Sequence, residues 1–340
     1  MTATLAAADF LRTPTIGMAN AEAFKEWHHF VIHAGGCRLL VNFSLNTESA
    51  PDGRYRLAPR VIVIAHDDRW GGAVERFAAD ALAIAPSLGE LTIGGNRMLI
   101  RPDGYRVVID LPARGIAGEL SFVPASKPFV VTNQPVGSGR MSWLFVPRLH
   151  ATGWLRIGGR EHRFTDDIAY HDHNWGRFRW GDDFGWEWAT VLPSDPDQPW
   201  SLVFLRMTDR RRLRYFSQAL YVWHHNEPAA IFRHAAVAVR TSGVLHRRAD
   251  CTLPAPMRLL LDGEVPGVPE CVTVTAHRAG DAARVEFLPQ SYARLAQPSE
   301  LSLDGVTVLC ESTGAAVVTG SINGRRMDFR GTGVFEFLHG

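Results

Sequence analysis

The chain has 340 residues, of which 46% are hydrophobic and 21% charged, with 36 Lys+Arg against 35 Asp+Glu. These proportions belong to a folded globular protein with room for two domains and not to a disordered chain. A net charge of +1 without a long charged run excludes the basic footprint of a nucleic-acid binder and gives no polybasic membrane patch.

No apolar run approaches the roughly 20 residues that cross a bilayer as a helix. The first residues, MTATLAAADFLRTPTIG, lack a basic leader region and are interrupted by Asp9 and Arg12, so they read as a poor signal peptide. Cys37, Cys251, Cys271 and Cys310 have no C-x-x-C spacing, which suggests neither a zinc knuckle nor a disulfide framework. Four scattered thiols fit a reducing compartment, and a cytoplasmic location is the expectation. Peripheral membrane contact stays open, and the sequence is silent on oligomeric state.

In chain order, Ala21–His29 reads as a short helix with Asn20 as its N-cap, or else a strand begins within Trp27–Val31. Residues 71–85, GGAVERFAADALAIA, give the best amphipathic helix. Most other elements read as short strands. Gly94-Gly95-Asn96 joins Leu91–Ile93 to Met98–Ile100, and Pro102-Asp103-Gly104 turns into Tyr105–Ile109. Gly158-Gly159 and Asn323-Gly324 join two further strand pairs, because glycine and asparagine tolerate the positive φ that two-residue hairpins require.

Residues 152–164, TGWLRIGGREHRF, echo residues 319–329, TGSINGRRMDF. Both run from Thr-Gly through a turn ending Gly-Arg to a Phe, and the two-residue difference preserves the in/out alternation of a strand. The repeat favours two related β units joined near residue 180.

The densest polar-aromatic stretch is 166–188, DDIAYHDHNWGRFRWGDDFGWEW. If 164–174 is extended, Phe164, Asp166, Ile168, Tyr170, Asp172 and Asn174 share one face, and His171, His173 and Trp175 share the other. Ionisable groups among apolar ones are not required by folding, because burying a charge costs free energy unless it is paired. Asp166 and Asp167 read as a solvated turn. His171 and His173 have the H-x-H spacing by which a strand presents two imidazoles to a metal, with His28, His29, His33 and His66 available elsewhere, but no complete ligand set can be read. The arginines at 210–212 and 214 read as a solvated turn. No nucleotide-binding loop and no G-x-S-x-G elbow occurs.

The strand pair at 153–164, the Tyr170-His171-Asp172-His173-Asn174-Trp175-Gly176 box, Phe184-Gly185-Trp186-Glu187-Trp188, Glu26-Trp27 running on to Asn42-Phe43, and Gly331–Glu336 together resemble the AttH-like and carotenoid 1,2-hydratase superfamily. Within it the Asp-His-Asn-Trp-Gly box at 172–176 is the most specific part, and the likeness touches both halves of the chain. It implies an all-β, predominantly antiparallel chain of two lipocalin-like barrels in tandem with few short helices, residues 1–178 and 179–340. Carotenoid hydratases, fungal decalin-forming cyclases and proteins of unknown activity share that architecture, so it implies a fold more firmly than a reaction.

The resemblance further implies a Brønsted acid in a greasy barrel, mapped onto Asp172, with His171, His173 and Tyr170 as further catalytic candidates. Protonating an alkene requires an acid kept neutral by desolvation, and aromatic faces for the developing cation. Trp27, Asn174, Trp175, Trp186 and Trp188 are the expected substrate-binding residues, with Asp172 beside Tyr170 and at least one of the last three tryptophans. The expected function is a cofactor-independent and metal-free enzyme that hydrates, cyclises or isomerises a hydrophobic isoprenoid or polyketide-like substrate. The rival is a non-catalytic carrier of an apolar ligand.

Overall fold

The computed structural model describes residues 9–13, 22–34, 36–49, 55–259, 261, 267–303 and 305–339. The chain divides into two compact units, Met1–Pro135 with Gly139–Phe178 and Val136–Ser138 with Arg179–Gly340. Each is built from strands around its own apolar core, so the protein is all-β. Among the described residues the helices are 3₁₀ segments of three to five residues, and no helix is long and apolar enough to cross a membrane.

The first unit contains β1 (Phe24–Ala34), β2 (Cys37–Ser49), β3 (Tyr55–His66), β4 (Trp70–Arg76), β5 (Leu82–Ile84), β6 (Glu90–Ile93), β7 (Asn96–Arg101), β8 (Gly104–Leu111), β9 (Ile116–Pro124), β10 (Phe129–Val136), β11 (Gly139–Ile157) and β12 (Arg160–Arg177). They make one sheet in the order β4-β3-β2-β1-β12-β11-β9-β8-β7-β6-β5, with β10 alongside β11. The sheet wraps a core in which Phe30, Val41, Val63, Leu91, Met98, Val107, Leu120 and Leu144 meet from eight strands.

The second unit contains β13 (Gly185–Pro193), β14 (Trp200–Thr208), β15 (Tyr215–His224), β16 (Glu227–Arg233), β17 (Val237–Ser242), β18 (Cys251–Leu253), β19 (Cys271–Arg278), β20 (Asp281–Pro298), β21 (Val306–Ile322) and β22 (Arg325–His339). Its order is β16-β15-β14-β13-β22-β21-β20-β19-β17, and β18 adds a short parallel ladder on β20. This repeats the first unit's path: a four-strand run, then a long final hairpin, then the strands that precede that hairpin.

The two long hairpins are those predicted from the repeat. Gly158 and Gly159 turn β11 into β12 at φ +59° and +79°, and Asn323 and Gly324 turn β21 into β22 at φ +51° and +73°. The repeated Thr-Gly also has a physical cause. A Cβ on Gly153 would lie 2.0 Å from the Glu119 carbonyl oxygen, and one on Gly320 would lie 2.2 Å from that of Ala282. Both sit where the neighbouring strand's backbone presses against the hairpin, and their φ values of +141° and +158° suit glycine.

Both helix expectations are corrected. Residues 70–76 pair with β3 and 82–84 with β6, leaving only a 3₁₀ turn at Ala79–Ala81. The alanines of 71–85 favour a helix locally, but a free β3 edge satisfies the backbone of 70–76 and buries Trp70 and Ala73. Strand β1 begins at Phe24 because β2 and β12 flank it on both sides. Asn20 and Ala21 lie outside the described residues.

Strict alternation over 164–174 is corrected as well. An extra residue bulges from β12 between the pairs Ala151–Asp167 and Gly153–Phe164, with Asp166 at φ +59°. A bulge shifts side-chain parity by one residue. Phe164 therefore points into the core with Ala169, away from Tyr170 and Asp172. Asp166 is exposed and Asp167 half-buried at this bulge.

Candidate functional site

Beyond the bulge, β12 sends its box residues to two faces, each completed by its neighbours. His171, His173 and Trp175 turn inward with Phe30, His28 and Glu26 of β1, their register partners. Tyr170, Asp172 and Asn174 turn outward, opposite Val31, His29 and Trp27 of β1. On the other side of β12, Phe145 and Trp143 of β11 pair with Asp172 and Asn174.

The outward face carries a compact polar group. The Tyr170 hydroxyl donates to Asp172 Oδ2 at 3.0 Å, and the Asn174 amide donates to Asp172 Oδ1. Asp172 is buried at 7% exposure, Tyr170 is fully buried, and Asn174 and Trp27 are half-buried. Burial pushes the His29 imidazole down to about 3, helped by repulsion from His171, so His29 is a neutral group opposite Asp172. Trp143 is buried, and its indole N–H has no hydrogen-bond partner. An orphaned donor inside a protein costs free energy, so this one is notable on a face that also holds a buried carboxyl.

The inward face is denser in titratable groups. His28 stacks on His173 with ring centroids 3.8 Å apart, and lies parallel to His171 at 5.6 Å. Residues 9–13 enter the unit here, anchored by Leu11 in the core and by its N–H on the Leu88 carbonyl. They bring Asp9, whose carboxylate lies 3.2 Å from His173 Nδ1, 3.4 Å from His171 Nε2 and 4.0 Å from His28 Nδ1. Tyr105 donates its hydroxyl hydrogen to Asp9. Glu26 meets His173 Nε2 at 2.9 Å and accepts from the backbone N–H groups of Arg12 and Thr13.

These contacts set the charges. Burial would raise the Asp9 carboxyl, but His171, His173 and His28 outweigh it and hold Asp9 well below the ordinary carboxylate range. Glu26 is also lowered against its burial, by His173, Thr13 and Arg12. Burial lowers His173, but the hydrogen bonds and charges of Asp9 and Glu26 reverse this and raise it to about 8. His28 lies well below its ordinary value through burial and the charge of His173. Tyr105 is pushed well above its ordinary value by burial and by Asp9.

Around the cluster, Phe30 stacks on Phe122 at 4.6 Å and on His171 at 4.3 Å, and Tyr105 packs against His171 at 4.5 Å.

No protein-family model and no curated protein matches the chain. Solved structures do. A protein provisionally called AttH from Nitrosomonas europaea superposes with a TM-score of 0.63 at 13% identity, over 98% of each chain. Kievitone hydratase from Nectria haematococca gives 0.61 at 10% identity, over 100% of this chain and 96% of its own. CghA with Sch210972 gives 0.59 at 12% identity, over 100% of this chain and 94% of its own. The chain shares the fold of these three proteins.

Within that fold the expected site residues separate. Asp172, Tyr170, Asn174 and Trp27 come together on the outward face of β1 and β12. The expectation that Trp175 could flank Asp172 is corrected, because odd and even residues beyond the bulge point oppositely and Trp175 goes inward with His171 and His173. Trp186 and Trp188 belong to β13 of the second unit. There Trp186 stacks on Phe184 and donates its indole N–H to Glu336, the register partner of Trp188.

Trp143 and Phe145 were not picked out by sequence reasoning. Their signal is the alternation of Trp143-Leu144-Phe145-Val146, readable only once β11 is known to pair with β12. Asp9 registered only as a charge interrupting an apolar stretch, and Glu26 only as part of the resemblance. The arginine-rich turn also does more than expected, since Arg212 reaches the buried Glu187 at 2.6 Å.

Proposed function

We propose that the protein is an enzyme that moves a proton to or from a hydrophobic, isoprenoid or polyketide-like substrate on the outward face of β1 and β12, in the course of hydration, cyclisation or isomerisation. The observation that carries this reading is the buried Tyr170–Asp172–Asn174 group framed by Trp27, Trp143 and Phe145. The kinship of fold with kievitone hydratase supports the same class of chemistry.

Asp172 is the proton-transfer carboxyl and Tyr170 its relay. The Tyr170 hydroxyl donates to Asp172 Oδ2; when Asp172 is protonated this bond reverses, because a hydroxyl both accepts and donates, and Asp172 hands its proton to the Tyr170 oxygen as the phenolic proton passes to the substrate. Asn174 holds the second carboxyl oxygen and so fixes which oxygen faces Tyr170. Trp27, Trp143 and Phe145 offer aromatic surface to an apolar skeleton and to positive charge developing on it. The unpartnered Trp143 N–H is available to an acceptor on the substrate.

The test is turnover by Asp172→Asn, which keeps the shape and removes the transferable proton. Loss of about 10²–10⁴-fold in rate with an unchanged melting temperature supports the proposal. Full activity in the variant overturns the assignment of Asp172, and ligand binding without turnover by the unmodified protein favours a carrier.

A further inference from the structure

We propose that Asp9, His28, His171 and His173 form a closed binding site for one divalent transition-metal ion of the zinc class, inside the first unit and on the opposite face of β12 from Asp172. Nitrogens of all three imidazoles approach the Asp9 carboxylate within 4.0 Å, and the four groups come from three separate segments of the chain. Donor atoms of Asp9, His28 and His171 lie within 4.8 Å of one another, as do those of Glu26, His28 and His173. A tetrahedral ion with ligands at about 2.1 Å wants donors about 3.4 Å apart, so the His28 ring, stacked 3.8 Å from His173, has to turn out of that stack for both imidazoles to reach one ion.

Two independent features point to an ion and not merely to a packed polar cluster. His28 is fully buried, and neither of its ring nitrogens has a hydrogen-bond partner. A buried imidazole normally spends at least one nitrogen on a partner, and a metal would take the Nδ1 that faces Asp9.

The other ligands are also oriented from behind, as metal ligands usually are. His171 Nδ1 can only donate to the His29 carbonyl at 3.0 Å, which leaves the Nε2 lone pair facing Asp9. His173 holds Glu26 through Nε2 at 2.9 Å and turns Nδ1 to Asp9, while Tyr105 holds the Asp9 carboxylate.

The ligand set of imidazoles and a carboxylate, without sulfur, suits zinc, cobalt or nickel better than magnesium or calcium. Because the site is fully buried, the ion would be a staple. It would tie residues 9–13 to β1 and β12 and would meet no substrate.

The experiment is to unfold the protein, refold it with Co²⁺ or with Zn²⁺, desalt it, and measure metal content, the cobalt absorption spectrum and the melting temperature. The expected result is about one ion retained per chain, visible cobalt bands of a nitrogen and oxygen site, and a raised melting temperature. His28→Gln should abolish retention. Tyr105→Phe, which preserves shape and removes only the hydroxyl behind Asp9, should weaken affinity about 10–100-fold. Failure of the refolded protein to retain either ion overturns the proposal, as do an intense near-ultraviolet thiolate–cobalt band and unchanged retention in His28→Gln. Should His28→Gln fail to fold, unchanged affinity in Tyr105→Phe overturns it instead.

Discussion

Asp172 and Glu336 occupy corresponding positions in two copies of one hairpin. Each lies on the last strand of its unit's long hairpin, at the same distance from the turn once the bulge residue of β12 is set aside. Asp172 is flanked by His29 and Phe145 in register, and Glu336 by Trp188 and Glu311. Both carboxyls are buried, yet their partners differ. Asp172 accepts from a phenol and an amide, whereas Glu336 accepts from the Trp186 indole and shares a hydrogen bond with a second carboxyl, Glu311.

That difference gives Glu336 a distinct pH signature. Burial raises its carboxyl above the ordinary value of 4.5, with Glu311 and Trp186 opposing only part of the shift. A carboxyl raised in the folded state contributes stability that is complete below its unfolded pKa and is lost as pH rises through the raised folded value. Glu336→Gln, an isostere of the protonated acid, should flatten this pH dependence and match or exceed the parent's stability at neutral pH. Melting curves from pH 4 to 8 check it, and a variant that loses stability only at neutral pH would show that the ionised form is the favoured one.

Trp143→Phe separates binding from chemistry on the outward face. The indole N–H is unpaired in the free protein, so its removal should leave the melting temperature unchanged or higher. If it meets a substrate acceptor, the variant's KM should rise roughly 3–10-fold with kcat nearly unchanged, as expected for one lost neutral hydrogen bond. Steady-state kinetics decide between this and an indole that serves packing alone.

Gly153→Ala should destabilise the first unit by about 2–4 kcal/mol, because the new Cβ meets the Glu119 carbonyl oxygen and the residue sits at φ +141°. Gly320→Ala should do the same in the second unit. Urea unfolding of the two variants reads the effect, and equal stability to the parent would mean that the neighbouring strands can separate without cost.

Phe122→Ala should cost about 3–5 kcal/mol and open a hole among Phe30, Tyr105 and His171. Since the proposed chemistry lies on the other face of β12, turnover per folded molecule should survive. Activity measured well below the variant's melting temperature tests this, and its loss would place the reaction inside the barrel.

The sequence by itself determined the elements whose causes are local. Gly158-Gly159 and Asn323-Gly324 turn because their residues accept positive φ, the Thr-Gly repeat marks the two hairpins, and alternation within 169–175 separates Asp172 from His171 and His173. Tertiary structure decided everything that depends on which strands become neighbours. The alanine-rich 71–85 segment yields its helix to the edge of β3, and the Asp166 bulge reverses the face on which Phe164 lies. Asp9, Glu26 and His28 reach His171 and His173 from more than a hundred residues away in the chain, and Trp143 and Phe145 join Asp172 through the β11–β12 register. Spacing along a chain reports periodicity within a strand. The register between strands is fixed by long-range burial and ladder hydrogen bonds, which no single segment encodes.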